Sequence, residues 1–250
     1  MIDIHTHILP SVDDGAKNVE ISREMLQAER AQGVKTVVIT PHYYGKFSPE
    51  RFLERRSEAY ERIKDGVPEG MELRLGAEVH FTGLNMPEYD ELCRLAIDGT
   101  HYILIEFPFQ QKWNGAMLDK LSEFAYETGY TPIIAHVERY GEVRKNPAVL
   151  TRLAQMGCLI QVNTRSFLDK KEKGFAFTLV KHNLVHCIGS DAHDTDLRAP
   201  DMQQAKAAFV AAGYAEEWER IQLISKNILA DKRVFVSIDK PVKKFFGRYF

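Results

Sequence analysis

Thiols are scarce in this chain. Three cysteines, Cys93, Cys158 and Cys187, stand among 250 residues, odd in number, widely spaced and outside any paired-cysteine motif. Such a pattern offers neither a disulfide framework nor a thiolate zinc cage, and it suits a reducing compartment better than an oxidising one. Charge of one sign is equally thin: the formal net charge is -2, with lysine and arginine scattered until the last few residues. Neither a polynucleotide track nor a membrane surface is indicated, so nucleic acid is not an expected partner. No apolar stretch reaches the roughly 18 residues of a membrane span, and the opening Met-Ile-Asp-Ile-His has no room for the basic and apolar regions of a signal peptide. A cytoplasmic protein that is not itself a membrane protein is expected. Internal repeats and low-complexity linkers are also missing, and 250 residues suit a single domain over 1–250.

What the chain does contain is an alternation of short apolar runs with longer amphipathic ones. The strand candidates are Ile2 to Ile4, Val34 to Thr40, Leu73 to Val79, Tyr102 to Phe107, Pro132 to Ala135, Cys158 to Val162 and Val185 to Gly189. Most are too apolar to have one wet face, which points to parallel strands covered on both sides. Helix signals fill the gaps. Asn18 is placed to cap a helix running to about Gln32 with Gly33 as its stop, and Ser48-Pro49 and Asn146-Pro147 each read as N-cap followed by proline. Further helices fit Met117 to Glu127, Gly174 to Lys181, Met202 to Ala212 and Glu216 to Leu229. The order predicts an α/β protein, a (β/α) barrel of about seven strands, with a doubly wound open sheet as the alternative.

Nine donors fall at or just beyond the ends of these runs: His5, His7, Asp14, His42, Glu78, Glu106, His136, Asp191 and His193. In a parallel barrel the carboxyl ends of the strands converge on one mouth, and every donor except Asp14, in the first long loop, occupies such a position. One residue between His5 and His7 puts both imidazoles on one face of an extended segment, and Asp191 and His193 repeat the spacing. Glu106 ends the run Tyr-Ile-Leu-Ile-Glu-Phe, where a carboxylate is expensive to desolvate unless paired or metal-bound. A closed structural zinc site consumes about four ligands, so nine oxygen and nitrogen donors imply several ions with open positions. Arg139 and Arg198 follow His136 and His193 closely. A guanidinium fork matches phosphate oxygens, so a phosphate-bearing substrate is favoured. Divalent ions lower the pKa of bound water toward about 7, and no covalent nucleophile is then required. Cys158 reads as a buried strand residue and not as a phosphatase nucleophile.

In combination and order, Ile2-Asp-Ile-His-Thr-His-Ile-Leu-Pro10, Val12-Asp-Asp-Gly-Ala16, Thr40-Pro-His42, Gly76-Ala-Glu78, Glu106-Phe-Pro108, His136-Val-Glu-Arg-Tyr140, Gln161-Val-Asn163 and Ser190-Asp-Ala-His193 are specific. They resemble the polymerase and histidinol phosphatase (PHP) superfamily, and within it the bacterial tyrosine-protein phosphatases of capsule and exopolysaccharide synthesis. The resemblance implies a distorted (β/α)7 TIM-like barrel, the PHP fold, with three divalent ions, usually manganese. Oxygen and imidazole ligands also suit Fe, Zn or Co. By position, His5, His7, Glu78 and Asp191 would hold the first ion, Glu78, Glu106 and His136 the second, and Asp14, His42 and His193 the third. Arg139 and Arg198 would bind substrate phosphate. The implied substrate is phosphotyrosine in the tail of a membrane-associated tyrosine autokinase.

The chain departs from the family pattern at Tyr43, Val137, Thr164 and Arg165, of which Tyr43 and Arg165 bear on substrate preference. His80, His101, His182 and His186 lie outside the ligand positions, although His80 follows Glu78 closely. The basic and aromatic stretch Lys243 to Phe250 either docks on a partner or packs on its own domain. Competing readings are a small-molecule phosphomonoesterase such as histidinol phosphatase, a nuclease or phosphodiesterase, and a kinase-binding regulator with structural metals.

Overall fold

The computed structural model describes residues 1–82, 87–236, 241–245 and 248–249. In chain order the elements are β1 (Ile2–Thr6), α1 (Val19–Ala31), β2 (Thr36–Ile39), β3 (His42–Tyr43), α2 (Pro49–Ile63), β4 (Glu72–Leu75), β5 (Glu78–His80) and α3 (Tyr89–Cys93). They continue as β6 (Tyr102–Glu106), α4 (Gly115–Thr128), β7 (Thr131–Ile134), α5 (Gly141–Lys145), α6 (Ala148–Gln155) and β8 (Leu159–Asn163). The chain ends in α7 (Lys173–Lys181), β9 (Cys187–Gly189), α8 (Met202–Ala211), α9 (Ala215–Leu229), β10 (Lys244–Phe245) and β11 (Arg248–Tyr249).

Among the described residues every strand pair is parallel except the small β10–β11 ribbon. The ladders run β1-β2-β4 and β3-β5-β6-β7-β8-β9. They join because β3 continues the line of β2 and β5 that of β4: the Gly76 N–H donates to Ile39 O (2.8 Å) and the Glu78 N–H to Pro41 O (3.1 Å). On the other flank Asp191 N–H donates to His5 O (2.8 Å) and His7 N–H to Ala192 O (2.9 Å), so the segment after β9 meets β1. Seven strand lines therefore curl into a closed, distorted barrel, and the open-sheet alternative is set aside.

The short elements β3, α3, α5, β10 and β11 are additional to the sequence expectation, and two of its boundaries are displaced. The run Leu73 to Val79 is broken at Gly76 and Ala77 into β4 and β5. Arg56 of α2 causes the break, since its buried guanidinium takes the Gly76 carbonyl (2.8 Å). The Asn146-Pro147 pair does not cap α6, which starts at Ala148 without a side-chain cap; Asn146 instead ends α5, its N–H held by Glu142 O (2.9 Å). The other signals act as read. Asn18 Oδ1 accepts from Ile21 N (2.9 Å), Ser48 Oγ accepts from Arg51 N (3.3 Å), and Gly33 stops α1 at φ +82°.

Strand alternation explains how an apolar barrel carries a polar mouth. Tyr102, Leu104 and Glu106 share one face of β6, as do Leu159, Gln161 and Asn163 on β8 and Cys187 and Gly189 on β9. The earlier members gather in an apolar cluster with Ile4, Val38, Ile133, Ala135 and Ile224 and Ile228 of α9, while the later ones enter the polar cluster described below. The larger core lies between strands and helices and includes Phe124, Phe167, Phe209 and Trp218. Cys158 is buried just before β8, and His186 is buried before β9. The described part of the C-terminal stretch packs on its own chain: Lys244 Nζ and Tyr249 Oη both donate to Arg144 O, at 2.8 and 3.0 Å. Residues 246, 247 and 250 lie outside the described set. Among the described residues no helix is long and apolar enough to cross a membrane.

Candidate metal centre

All nine sequence-selected donors meet at the carboxyl mouth of the barrel. His5 and His7 are fully buried, and their Nε2 atoms stand 3.1 Å apart. Their outer nitrogens fix which way the lone pairs point. His7 Nδ1 lies 2.7 Å from Asp13 Oδ2, and His5 Nδ1 lies 3.3 Å from Gln161 Oε1, so each Nδ1 carries the proton and each Nε2 presents a lone pair inward. Glu78 Oε2 is 3.3 and 3.4 Å from those two Nε2 atoms, and Asp191 Oδ1 is 3.7 and 3.4 Å from them.

Around this group stand the remaining donors. His136 Nε2 meets Glu78 Oε1 at 2.8 Å and Glu106 Oε1 at 3.6 Å, while His42 Nδ1 is 3.0 Å from Glu78 Oε2 and 3.8 Å from Glu106 Oε2. Asp14, the most exposed member, holds Oδ1 3.4 Å from both His42 Nε2 and His193 Nε2. Three overlapping groups result: His5, His7 and Glu78; His42, Glu78 and Glu106; and His7, Asp14, His42 and His193. His7 and His42 thus lie on boundaries between groups, a sharing that the grouping by resemblance does not contain.

The donor set fits divalent cations on three counts. Lone pairs of imidazole and carboxylate converge within a few ångströms, which is repulsive unless positive charge lies among them. Four buried atoms at this mouth, His42 Nδ1, Glu78 Oε2, His136 Nδ1 and His193 Nε2, make no well-aligned hydrogen bond, although His42 Nδ1 and Glu78 Oε2 lie in ion-pair range of each other. The titration of the cluster expresses the same demand. Burial alone would raise the carboxyls of Glu78 and Asp191, yet His5 and the other imidazoles hold both well below the ordinary range. Burial likewise works against protonated His5, but Glu78 and Asp191 override it and raise its pKa.

Backbone geometry shows how tightly the mouth is drawn. His136 and Asp191 have φ values of +31° and +53°, in the left-handed region that costs a non-glycine residue roughly 1–3 kcal/mol. Asp191 therefore does not share a strand face with His193 as His5 does with His7; a kinked turn aims it. Two glycines allow the close approach. A Cβ on Gly189 would lie 2.4 Å from His5 Cβ, and one on Gly15 would lie 2.1 Å from His7 O.

Several residues that support the donors were not singled out from sequence. Asp13 Oδ2 accepts from both His7 Nδ1 and His42 N (2.9 Å), and the neighbouring imidazole brings its carboxyl down to about 2 against the upward push of burial. Gln161 Oε1 accepts from His136 N (2.7 Å), Gln161 Nε2 donates to Asn163 Oδ1 (2.9 Å), and Asn163 Nδ2 donates to Asp191 Oδ2 (2.8 Å). These residues lie inside the quoted motifs, but an amide or a second aspartate there has no signature of its own. His80 enters the rim through a 3.1 Å contact with Glu106, whereas His101 pairs with Asp231, His186 is buried in the core, and His182 ends α7.

Arg139 and Arg198 grip Asp191 from the solvent side, at 3.3 and 3.0 Å. With Asn163, Arg165 and Ser166 they line a cavity of about 230 Å³ opening beside the donor cluster. A larger cavity of about 620 Å³, lined by His101, Tyr102, Thr131 and Gly157, lies at the amino ends of β6 and β7 and shares no residue with the donors.

Comparison with known proteins agrees with this architecture. Residues 1–229 match the family described as capsular polysaccharide synthesis, CpsB/CapC. The chain is 35% identical to tyrosine-protein phosphatase YwqE of Bacillus subtilis, with 99% of each chain covered. It is 33% identical to tyrosine-protein phosphatase CpsB of Streptococcus pneumoniae, with 97% of each covered. Its fold superposes with a TM-score of 0.84 and 32% identity, covering 98% of this chain and 100% of the other, on a crystal structure from a study of YwqE and CpsB as metal-dependent tyrosine phosphatases.

Proposed function

Because the chain belongs to the CpsB/CapC capsular polysaccharide synthesis family, we propose that it is a metal-dependent protein-tyrosine phosphatase, a phosphoric monoester hydrolase acting in capsule or exopolysaccharide synthesis. The observation that carries this reading is the convergence of nine imidazole and carboxylate donors on one mouth, seven in the three groups and His136 and Asp191 in contact with them, with two arginine forks at its edge. Its substrate is phosphotyrosine on protein, in the tail of a membrane-associated tyrosine autokinase, and its place of work is the cytoplasm. We propose three divalent ions, manganese first among the candidates, as cofactors over a single domain spanning 1–250.

In this mechanism His5, His7, Glu78, Asp191, His42, Glu106, His136, Asp14 and His193 would hold the ions. When bound, these supply Lewis-acid polarisation of the phosphoryl group and a lowered pKa for water. Arg139 and Arg198 approach from the open side, where their forks meet the equatorial phosphate oxygens and stabilise charge that grows in the transition state. Asp191, held between the two guanidinia and Asn163, keeps both forks aimed at the mouth. Gln161 and Asp13 hold the imidazoles in the tautomer that turns lone pairs inward. A cysteine nucleophile has no place here: burial raises all three thiols, Cys158 to about 12, and none is among the residues of the mouth.

Phosphate release from a phosphotyrosine peptide and from histidinol phosphate, measured in parallel with manganese and after chelation, tests the proposal. Metal-dependent release chiefly from the peptide supports it. Preference for histidinol phosphate moves the function to small-molecule metabolism, and release that survives chelation removes the metal-dependent mechanism.

A further inference from the structure

Among the described residues eight large hydrophobic side chains are exposed, and three of them, Tyr44, Phe47 and Phe109, sit on loops at the barrel mouth just after β3 and β6. An exposed aromatic ring has an unmet tendency to leave water, and two of these rings are held in place against proposed ligands. Tyr44 stacks on the His42 imidazole at 4.8 Å and meets His80 edge-on at 5.4 Å. Phe109 lies 6.0 Å from the His136 ring and 6.3 Å from Tyr140, with the Arg139 guanidinium 4.4 Å over its face. Their strand lines flank the β5 line, whose first residue, Glu78, contacts both His42 (3.0 Å) and His136 (2.8 Å). The two rings therefore bracket the Glu78–Glu106 side of the donor cluster, and each is still nearly half exposed, 48% for Tyr44 and 45% for Phe109.

We propose that Tyr44 and Phe109 form an aryl subsite that receives the ring of the phosphate ester and sets the preference for aryl over alkyl esters. The inference rests on the phosphatase reading above. A phosphoryl group gripped at the cluster by Arg139 and Arg198 leaves its ester oxygen directed outward, and the next group along the substrate reaches the exposed faces of the two rings. A tyrosyl ring there removes apolar surface from water on both sides and adds offset or edge contacts. A seryl stem is too short and too narrow to do so, and it leaves both walls wet. Because Arg139 packs on Phe109, the wall also couples ring binding to the placement of a phosphate-binding fork.

The test compares kcat/KM for two peptides of identical sequence, one phosphorylated on tyrosine and the other on serine, in the manganese-loaded wild type and in Phe109→Ala, Tyr44→Ala and Phe109→Trp. Comparing each variant's ratio with the wild-type ratio cancels the different reactivities of the two leaving groups. Each alanine variant is expected to lower the tyrosine-to-serine ratio by about tenfold, and tryptophan to retain it. Competition by phenylphosphonate against methylphosphonate gives the same comparison without turnover, and the phenyl advantage should shrink in parallel. Alanine variants that lose both activities in proportion, with the ratio unchanged, would overturn the aryl subsite while leaving the phosphatase assignment standing. Hydrolysis of neither peptide by the wild type would remove both.

Discussion

Asp13 offers the sharpest perturbation, because one carboxylate supports two imidazole-bearing segments at once. Its Oδ2 accepts from His7 Nδ1 and His42 N, while its Oδ1 accepts from Gly15 N (3.0 Å). Asn at this position keeps the shape but cannot keep the pattern. Turned with its oxygen toward His7 and His42, it sets an amide NH2 against the Gly15 N–H; turned the other way, it faces two donors with a third. At least one buried donor loses its acceptor in either case, at about 1–3 kcal/mol, and the charge that strengthens the His7 bond is gone. Asp13→Asn is therefore expected to weaken Mn2+ binding by roughly 10–100-fold, the range found when residues that orient metal-ligating histidines are removed. Isothermal calorimetry with Mn2+ gives the affinity, and the manganese concentration for half-maximal phosphate release gives the functional counterpart. Activity should return in part at higher manganese. If both constants of the variant stay within about twofold of wild type, the idea that Asp13 orients His7 and His42 toward a metal fails.

Gly189→Ala places a Cβ 2.4 Å from His5 Cβ, so β1 or β9 must shift; lowered thermal stability and weakened manganese binding are expected together, and a variant with wild-type melting and binding would contradict the close approach. His186 sets a pH dependence: its Nδ1 accepts from Ile160 N (2.9 Å), its Nε2 donates to Asn183 O (3.0 Å), and burial lowers its pKa from 6.5 to about 4. A histidine buried neutral contributes stability that is complete above about pH 6.5 and is lost as the pH falls toward 4, on the order of 3 kcal/mol in all. Urea unfolding of metal-free protein at pH 7, 5.5 and 4.5 should show this slope reduced in His186→Gln, and an unchanged slope would refute it. Arg139→Ala should lower kcat/KM for the phosphotyrosine peptide by about 10²-fold, and a loss below threefold would remove the fork from transition-state binding.

Much of the barrel is legible in the sequence because its strands are covered on both faces, and a run such as Tyr102–Glu106 can be little else. The break at residues 76–77 is not legible, since it depends on the Arg56 guanidinium arriving from α2. The convergence of His5 and His7 follows from strand alternation, whereas that of Asp191 and His193 follows from a left-handed turn that residue types do not announce. Asp13 and Asp14 are adjacent and chemically alike, yet one faces inward under His7 and the other lies 63% exposed in the mouth. Only the path of the loop, drawn close where Gly15 passes His7, separates them. The aromatic rim was missed for the opposite reason: Tyr44 and Phe109 follow strands whose neighbours are core residues, and nothing in the sequence says that these two stay in water.

The seam between the first strand and the loop after β9 carries a consequence for the order of events in folding. His5 and His7 exist early in synthesis, whereas Asp191 and His193 reach them only after nearly the whole barrel has been made and curled shut. Closing a loop of that length carries a large entropic cost, so the seam belongs to the late steps of assembly. Ions held across it would act as a clasp fastened after the garment is on. Interactions absent from the folding transition state slow unfolding without hastening folding, and manganese should therefore lengthen the lifetime of the native barrel while leaving its rate of formation nearly untouched.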